Sequence, residues 1–196
     1  DVGAVVLNCT TISSIARYCR TGLPLVKKCV TVDGSAVKNP MNVLVPIGMR
    51  MKDVFEATGG FKEEPKMVLY GGPMMGIAVP DLEQPILKNT NAILAFGEAE
   101  ATPPEPTACI KCGKCIAHCP LSLMPCEMET AYKKGNIERL MHLKVNLCME
   151  CGCCSFICPA HRPLVQTNKL AKAQVMAYKN ALKAKAEAEK QKEAAK

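Results

Sequence analysis

The apolar residues of the N-terminal region follow two successive patterns. Residues 2–7 are an apolar run of strand length, and residues 10–20 carry apolar side chains at helical spacing before Gly22 and Pro24 end the pattern. A strand and a short helix make one βα unit, which cannot form a sheet alone. Because the chain also begins with Asp rather than Met, we predict that residues 1–24 are the last βα unit of an α/β domain whose earlier part is missing.

Residues 25–97 change to short strands separated by turn residues. The hairpin signal Asp33-Gly34 joins two apolar runs, and a helical pattern and a returning strand follow, which is the outline of a β-grasp domain. The stretch Gly71-Gly72-Pro73-Met74-Met75-Gly76 is more typical of a tight turn than of a ligand loop, because it lacks the strand and helix that flank glycine-rich binding motifs. The predicted elements are strands at 26–32, 41–45, 67–70 and 92–96 and a helix at 49–58.

The rest of the chain has a helical pattern. Residues 98–108 are acidic and contain three prolines, which predicts a semi-extended linker. Beyond it, Ser122 is a candidate helix N-cap, Gly135 ends that helix, Asn136 begins another, and Pro163 begins a long one. We therefore predict an α+β protein with a mostly helical domain over residues 109–176 and a Lys/Ala/Glu tail over residues 177–196 that is helical or disordered.

Two cysteine-rich stretches, 39 residues apart, carry the candidate chemistry. CIKCGKCIAHCP, from Cys109 to Pro120, and CMECGCCSFICP, from Cys148 to Pro159, agree at 6 of 12 positions. Those positions are the four cysteines, the glycine after the second cysteine and the final proline. The spacing C-x2-C-x2-C-x3-C-P is typical of ferredoxins that bind two [4Fe-4S] clusters, in which the fourth cysteine of one motif binds the other cluster.

The sequence thus predicts a two-cluster, ferredoxin-like domain with crossed ligands. The glycine lets the backbone approach the cluster, and the proline directs the chain away from it. The predicted ligands are Cys109, Cys112, Cys115 and Cys158 for the first cluster, and Cys148, Cys151, Cys154 and Cys119 for the second.

Other uses of the cysteines fit the spacing less well. Structural zinc sites use pairs of cysteines a dozen or more residues apart, and disulfide scaffolds are shorter chains with less apolar sequence. Cys153 occupies a variable position inside the second motif, where an exchange of ligands stays open. The remaining cysteines are interpreted as small apolar residues. They are Cys9, Cys19, Cys29 and Cys126.

Charge and composition exclude several classes of function. The formal net charge is +7, but residues 169–196 alone contribute eight lysines and three glutamates, and no basic stretch is interleaved with aromatic residues, which argues against nucleic acid. No run of 18 apolar residues predicts a membrane span. The absence of a visible signal peptide predicts a reducing compartment, where iron–sulfur thiolates survive.

With these motifs in place, the chain resembles the C-terminal portion of the C subunit of the Rnf complex, an ion-translocating ferredoxin:NAD oxidoreductase. The resemblance extends to about residue 176 and rests on GGPMMG, CIKCGKCIAHCPLSLMP, GNIERL and CMECGCCSFICPAHRPLVQ. Cys126, Cys153 and Cys9-Thr10-Thr11 depart from the family pattern. The resemblance implies an SLBB-type β-grasp domain, two [4Fe-4S] clusters, and an N-terminal domain for FMN and NADH that this chain would retain only as its last βα unit.

The resemblance also implies a function and a location. The expected role is electron transfer between a flavin and other cluster-bearing subunits, with the chain placed peripherally on the cytoplasmic side of the cell membrane and served by a ferredoxin-type electron partner. The chain itself would carry electrons without a substrate site. Two alternatives stay open, namely a cobalamin reductase-like flavo-iron–sulfur protein and a β-grasp binding module whose clusters are structural.

Overall fold

The chain folds into an N-terminal unit built on a sheet and a C-terminal helical unit. The computed structural model describes the backbone of residues 2–194 and the side chains of residues 2–188. The two compact units are Asp1–Pro103 and Pro104–Lys196. The mixed α+β class and the long C-terminal helix expected from the sequence are confirmed.

The N-terminal unit contains a mixed five-stranded sheet. The unit's elements are α1 (Cys9–Thr21), β1 (Lys27–Asp33), β2 (Met41–Pro46), α2 (Met51–Ala57), β3 (Met67–Tyr70), β4 (Ile77–Ala78), β5 (Ala92–Phe96) and α3 (Glu98–Ala101). The strand order of the sheet is β2-β1-β5-β3-β4, in which β1 and β5 run parallel and every other neighbouring pair is antiparallel.

Alternation along β1 creates the core of this unit. Every second residue of β1 is buried, and Val30 and Val32 are fully enclosed. Helix α2 buries Met51, Val54 and Phe55 in the same cluster. The chain order β1, β2, α2 and β3 confirms the predicted hairpin, helix and returning strand.

Two glycine-containing turns shape the sheet. Seven residues, 34–40, connect β1 to β2, so the hairpin is confirmed but its turn is longer than the two residues Asp33-Gly34. A Cβ at Gly34, whose φ is +118°, would overlap the carbonyl oxygen of Ala95, which requires glycine there. GGPMMG forms the turn between β3 and β4, with the amide of Gly76 donating to the oxygen of Gly72 at 2.7 Å.

Three local predictions were wrong. Residues 2–7 form no strand and are exposed, because no neighbouring strand pairs with them among the described residues. Residues 98–101, predicted as linker, form the helical turn α3. Ser122 has a φ of +51° and caps no helix; the helix that follows begins instead at Pro125, whose fixed φ suits a first helical position.

The C-terminal unit consists of five helices and a short 3₁₀ turn, Val145–Leu147, among its described residues. Asn136 caps a helix as predicted, accepting from the amide of Arg139 at 2.8 Å. The long helix begins directly after Pro163 and continues to Ala194, so the predicted tail is helical as far as the described residues reach. The helices are α4 (Lys114–Ala117), α5 (Pro125–Lys133), α6 (Ile137–His142), α7 (Cys153–Phe156) and α8 (Leu164–Ala194).

Candidate iron–sulfur centres

The two cysteine motifs have the same backbone conformation, repeated at the same 39-residue offset. Helices α4 and α7 occupy equivalent positions, and each begins after a left-handed glycine. Equivalent hydrogen bonds join Ile116 to Gly113 and Ser155 to Gly152, each at 3.0 Å. The residues with positive φ come in matched pairs, which are Lys111 (56°) with Glu150 (59°), Gly113 (75°) with Gly152 (83°), and Ser122 (51°) with His161 (50°).

The left-handed residues Lys111 and Glu150 are informative because neither is glycine. Such a conformation costs roughly 1–2 kcal/mol per residue, so the loop must gain something in return. Left-handed residues in short loops turn successive amide N–H groups toward one point, which forms a concave binding site for anions and iron–sulfur clusters. Sequence reasoning could not find these positions, since lysine and glutamate give no turn signal.

One cavity gathers three cysteines of the first motif and one of the second. This first cysteine cavity has a volume of about 370 Å³. Cys109 and Cys112 are exposed, Cys115 is buried, and Cys158, from the second motif, is half-buried. The structure therefore brings together the four cysteines assigned to the first cluster.

A second cavity gathers the complementary set. This second cysteine cavity is tighter, about 20 Å³, and is lined by half-buried Cys119, Cys148 and Cys151 and by buried Cys154. The amide of Leu123 donates to Sγ of Cys119 at 3.4 Å. Cys119 comes from the first motif, so each cavity contains the three predicted ligands of one motif together with the last cysteine of the other.

Each cavity is also lined by a fifth cysteine that is not among the predicted ligands. Cys126 lies on the first cavity and Cys153 on the second. Cys126 reaches its cavity from α5, and no spacing signal could have indicated that. The other cysteines of the chain, Cys9, Cys19 and Cys29, are exposed in the N-terminal unit.

Burial affects the third cysteine of each motif most. It raises the pKa of Cys115 to about 12 and that of Cys154 to about 11, with further upward contributions from neighbouring thiols. These two side chains pack with Leu164 and Val165 in one apolar cluster between the cavities. Both thiols are protonated at neutral pH in the metal-free protein, so a metal that binds them must displace protons.

The two cavities have different charged neighbours. On the first, Arg162 donates two hydrogen bonds to the buried carboxylate of Glu129, at 2.6 and 2.7 Å, and a third to the carbonyl oxygen of Thr107 at 2.9 Å. Beside the second, Lys172 donates to the carbonyl oxygen of Cys148 and to Glu150, both at 2.9 Å. Each cation thus ties a cysteine loop to a helix.

The residues present fit iron–sulfur clusters. Each cavity offers at least four thiols, the ligand set of [4Fe-4S] centres, next to a loop with left-handed residues. The second cavity also carries Asn168, a buried amide whose polar atoms find no partner in the described part of the chain. Among the described side chains, those of residues 2–188, no three of His, Cys, Asp or Glu lie close enough together to hold a single metal ion.

Comparison with known proteins finds a family match within the N-terminal unit and homologues that align with most of the chain. Residues 29–78 match the SLBB domain family. Over 179 residues, 91% of the chain, it is 38% identical to the C subunit of the Na(+)-translocating ferredoxin:NAD(+) oxidoreductase complex of Acetobacterium woodii. Over 175 residues, 89% of the chain, it is 37% identical to the C subunit of the ion-translocating oxidoreductase complex of Rhodobacter capsulatus. The chain is a homologue of the C subunits of ion-translocating oxidoreductase complexes.

A third C-subunit homologue supports the same relationship. The C subunit of the proton-translocating ferredoxin:NAD(+) oxidoreductase complex of Clostridium ljungdahlii is 42% identical over 125 residues, 64% of the chain. The chain spans 27%, 34% and 40% of the lengths of the homologues from Clostridium ljungdahlii, Rhodobacter capsulatus and Acetobacterium woodii. Among the residues that the structure describes, no helix combines the length and apolarity needed to cross a membrane.

Proposed function

We propose that this part of the C subunit relays single electrons through two [4Fe-4S] clusters within an ion-translocating ferredoxin:NAD oxidoreductase. The first cysteine cavity would hold one cluster on Cys109, Cys112, Cys115 and Cys158. The second would hold the other on Cys148, Cys151, Cys154 and Cys119. The observation that carries the proposal is that the lining of each cavity includes the three predicted ligands of one motif and the last cysteine of the other.

The surroundings of the cysteines favour electron transfer over acid–base chemistry. A [4Fe-4S] cluster supplies one-electron chemistry when bound. The protein's part is to hold its ligands, exclude water and donate hydrogen bonds. Cys115 and Cys154 lie in one apolar cluster with Leu164 and Val165, so apolar side chains lie between the cavities. Such a path suits a relay.

The proposal includes partners and a location. The names of the homologues describe subunits of a redox complex. We therefore propose that other subunits of a membrane complex exchange electrons with this chain, that it lies peripherally on the cytoplasmic face, and that a ferredoxin-type protein is an electron partner. FMN and NADH would bind in a different region of the full-length protein.

Metal analysis of the anaerobically isolated chain tests the proposal first. We expect about eight iron and about eight acid-labile sulfide per chain. About half of each would show that only one cluster binds. Zinc without iron would show that neither cluster binds.

Single substitutions test the crossed ligands. Cys119→Ala should abolish the same electron paramagnetic resonance signal as Cys154→Ala, because both side chains line the second cavity. Cys158→Ala should likewise match Cys112→Ala. Cys29→Ala, on the exposed face of β1, is the control and should change neither signal. If Cys119→Ala matched Cys112→Ala instead, the crossed arrangement would be wrong.

A further inference from the structure

Asn168 is the polar residue of the C-terminal unit that the fold leaves without a described partner at a cysteine cavity. Its side chain is 1% exposed and lines the second cavity. Neither Nδ2 nor Oδ1 has a hydrogen-bond partner among the described residues. A buried polar group left in this state destabilises the folded chain, because it has given up its hydrogen bonds to water. A partner inside the cavity would remove that destabilisation.

The contacts of α8 on both sides fix Asn168 toward this cavity. Three residues before it, the amide of Val165 donates to Oγ of Ser155 at 2.9 Å. Four residues after it, Lys172 donates to the carbonyl oxygen of Cys148 at 2.9 Å. Residues three and four apart share one helix face. The second motif therefore holds this face of α8 above and below Asn168.

The chemistry of the cavity indicates which atom of the amide is used. Cluster sulfides and thiolates accept hydrogen bonds and cannot donate them, so Nδ2 rather than Oδ1 would face them. On the first cavity, α8 contributes the apolar Leu164 and no amide. Hydrogen bonds to cluster sulfurs are among the factors that set reduction potential. The two cavities thus differ by one donor from the same helix.

We propose that Asn168 is a positioning residue whose Nδ2 donates a hydrogen bond to a sulfur of the cluster in the second cavity and thereby raises that cluster's reduction potential. The inference rests on the proposed function. Reduction adds negative charge to the cluster, and a donor stabilises that charge. Loss of the donor therefore makes reduction harder at this cluster alone.

A redox titration of the full chain with both clusters bound, followed by electron paramagnetic resonance, tests this inference. Asn168→Leu keeps approximate volume and removes the amide. We expect the second-cavity signal, identified by its loss in Cys154→Ala, to move to lower potential. One hydrogen bond changes the equilibrium constant for one-electron reduction by up to about tenfold, which corresponds to about 59 mV. The first-cavity signal should stay in place.

Matched variants separate a hydrogen bond from a packing effect. Asn168→Ala also removes the amide and should shift the same signal in the same direction, whereas Asn180→Leu, the same change at an exposed position of α8, should shift neither. If an Asn168 variant keeps its full iron content, an unchanged potential of the second-cavity signal would show that Asn168 does not act on the second cluster. Equal shifts of both signals would show the same. A wild-type chain without iron would remove the proposed function together with this inference.

Discussion

The two cysteine cavities share a backbone and differ in their surroundings. The loops repeat their left-handed residues and short helices at one offset, so the ligands are presented in the same way. Around them, the first cavity is larger, has two exposed cysteines, and is bordered by the Arg162–Glu129 ion pair. The second is tighter, has no exposed cysteine among the five that line it, and has the buried amide of Asn168.

This difference shows that a repeated motif does not produce two equivalent sites. The loop conformation determines which atoms can bind a cluster, whereas exposure, neighbouring charge and donors set its potential and its access to solvent. The groups that differ include Glu129 on α5 and Asn168 and Lys172 on α8, and both helices lie outside the repeat. Two clusters with identical ligand sets should therefore behave differently in the same chain.

The largest expected difference is in resistance to oxidation. Because Cys109 and Cys112 are exposed, the first-cavity cluster should be attacked before the second when the chain is exposed to air in the presence of an iron chelator. We expect about half of the iron to leave in a fast phase, together with the signal that Cys112→Ala abolishes. Absorbance measures the iron release, and electron paramagnetic resonance on the same samples shows which signal is lost. Faster loss of the second-cavity signal, the one that Cys154→Ala abolishes, would contradict the prediction that the first-cavity cluster is the more sensitive.

The next effect concerns the stability of the first cavity. Arg162→Ala leaves the carboxylate of Glu129, 3% exposed, without its bidentate partner. Breaking a buried pair from one side costs about 3–5 kcal/mol; Lys133 also contacts Glu129, so we expect about 3 kcal/mol. Urea unfolding of the metal-free chain, with the transition of the C-terminal unit resolved, measures the decrease in the free energy of unfolding.

Lys172→Met is the matched change at the second cavity. Methionine keeps most of the alkyl stem and removes the hydrogen bonds to Cys148 and Glu150. The Lys172 and Glu150 side chains are 31% and 28% exposed, so water can replace part of what is lost, and we expect about 1 kcal/mol. A loss equal to that of Arg162→Ala would show that the two cavities do not differ in this respect.

Much of the fold and of the candidate ligand set could be predicted from the sequence, for identifiable physical reasons. Alternation over residues 26–32 and the cap at Asn136 depend on neighbouring residues, so local sequence was sufficient. The grouping of cysteines followed from the spacing of an internal repeat, and the two cavities contain those groups. Binding of clusters by these cysteines remains a prediction.

The missed features depend on tertiary contacts or on weak local signals. Residues 2–7 have strand composition, but a strand forms only where another strand pairs with it, which composition cannot show. Cys126 is brought to the first cavity by α5, and Asn168 to the second by α8. Lys111 adopts its left-handed conformation without any glycine or asparagine to signal it. Cys126 and Asn168 give each cavity a feature of its own, whereas the left-handed conformation of Lys111 is shared with Glu150.

The smallest expected effect is a pH dependence confined to the first cavity. Burial raises the pKa of Glu129, but hydrogen bonds from Arg162 and Lys133 together outweigh it, so the net shift is downward from the ordinary value of 4.5. The ion pair therefore contributes its full stability above that value, and this stability is lost as the pH falls through the folded-state pKa.

In the metal-free chain, the free energy of unfolding should decrease as the pH is lowered below about 4.5. Glu129→Gln should make this dependence on pH less steep. Unfolding curves between pH 3 and 7 measure the wild-type chain and the variant, and an unchanged slope in Glu129→Gln would show that this ion pair is not the source of the pH dependence.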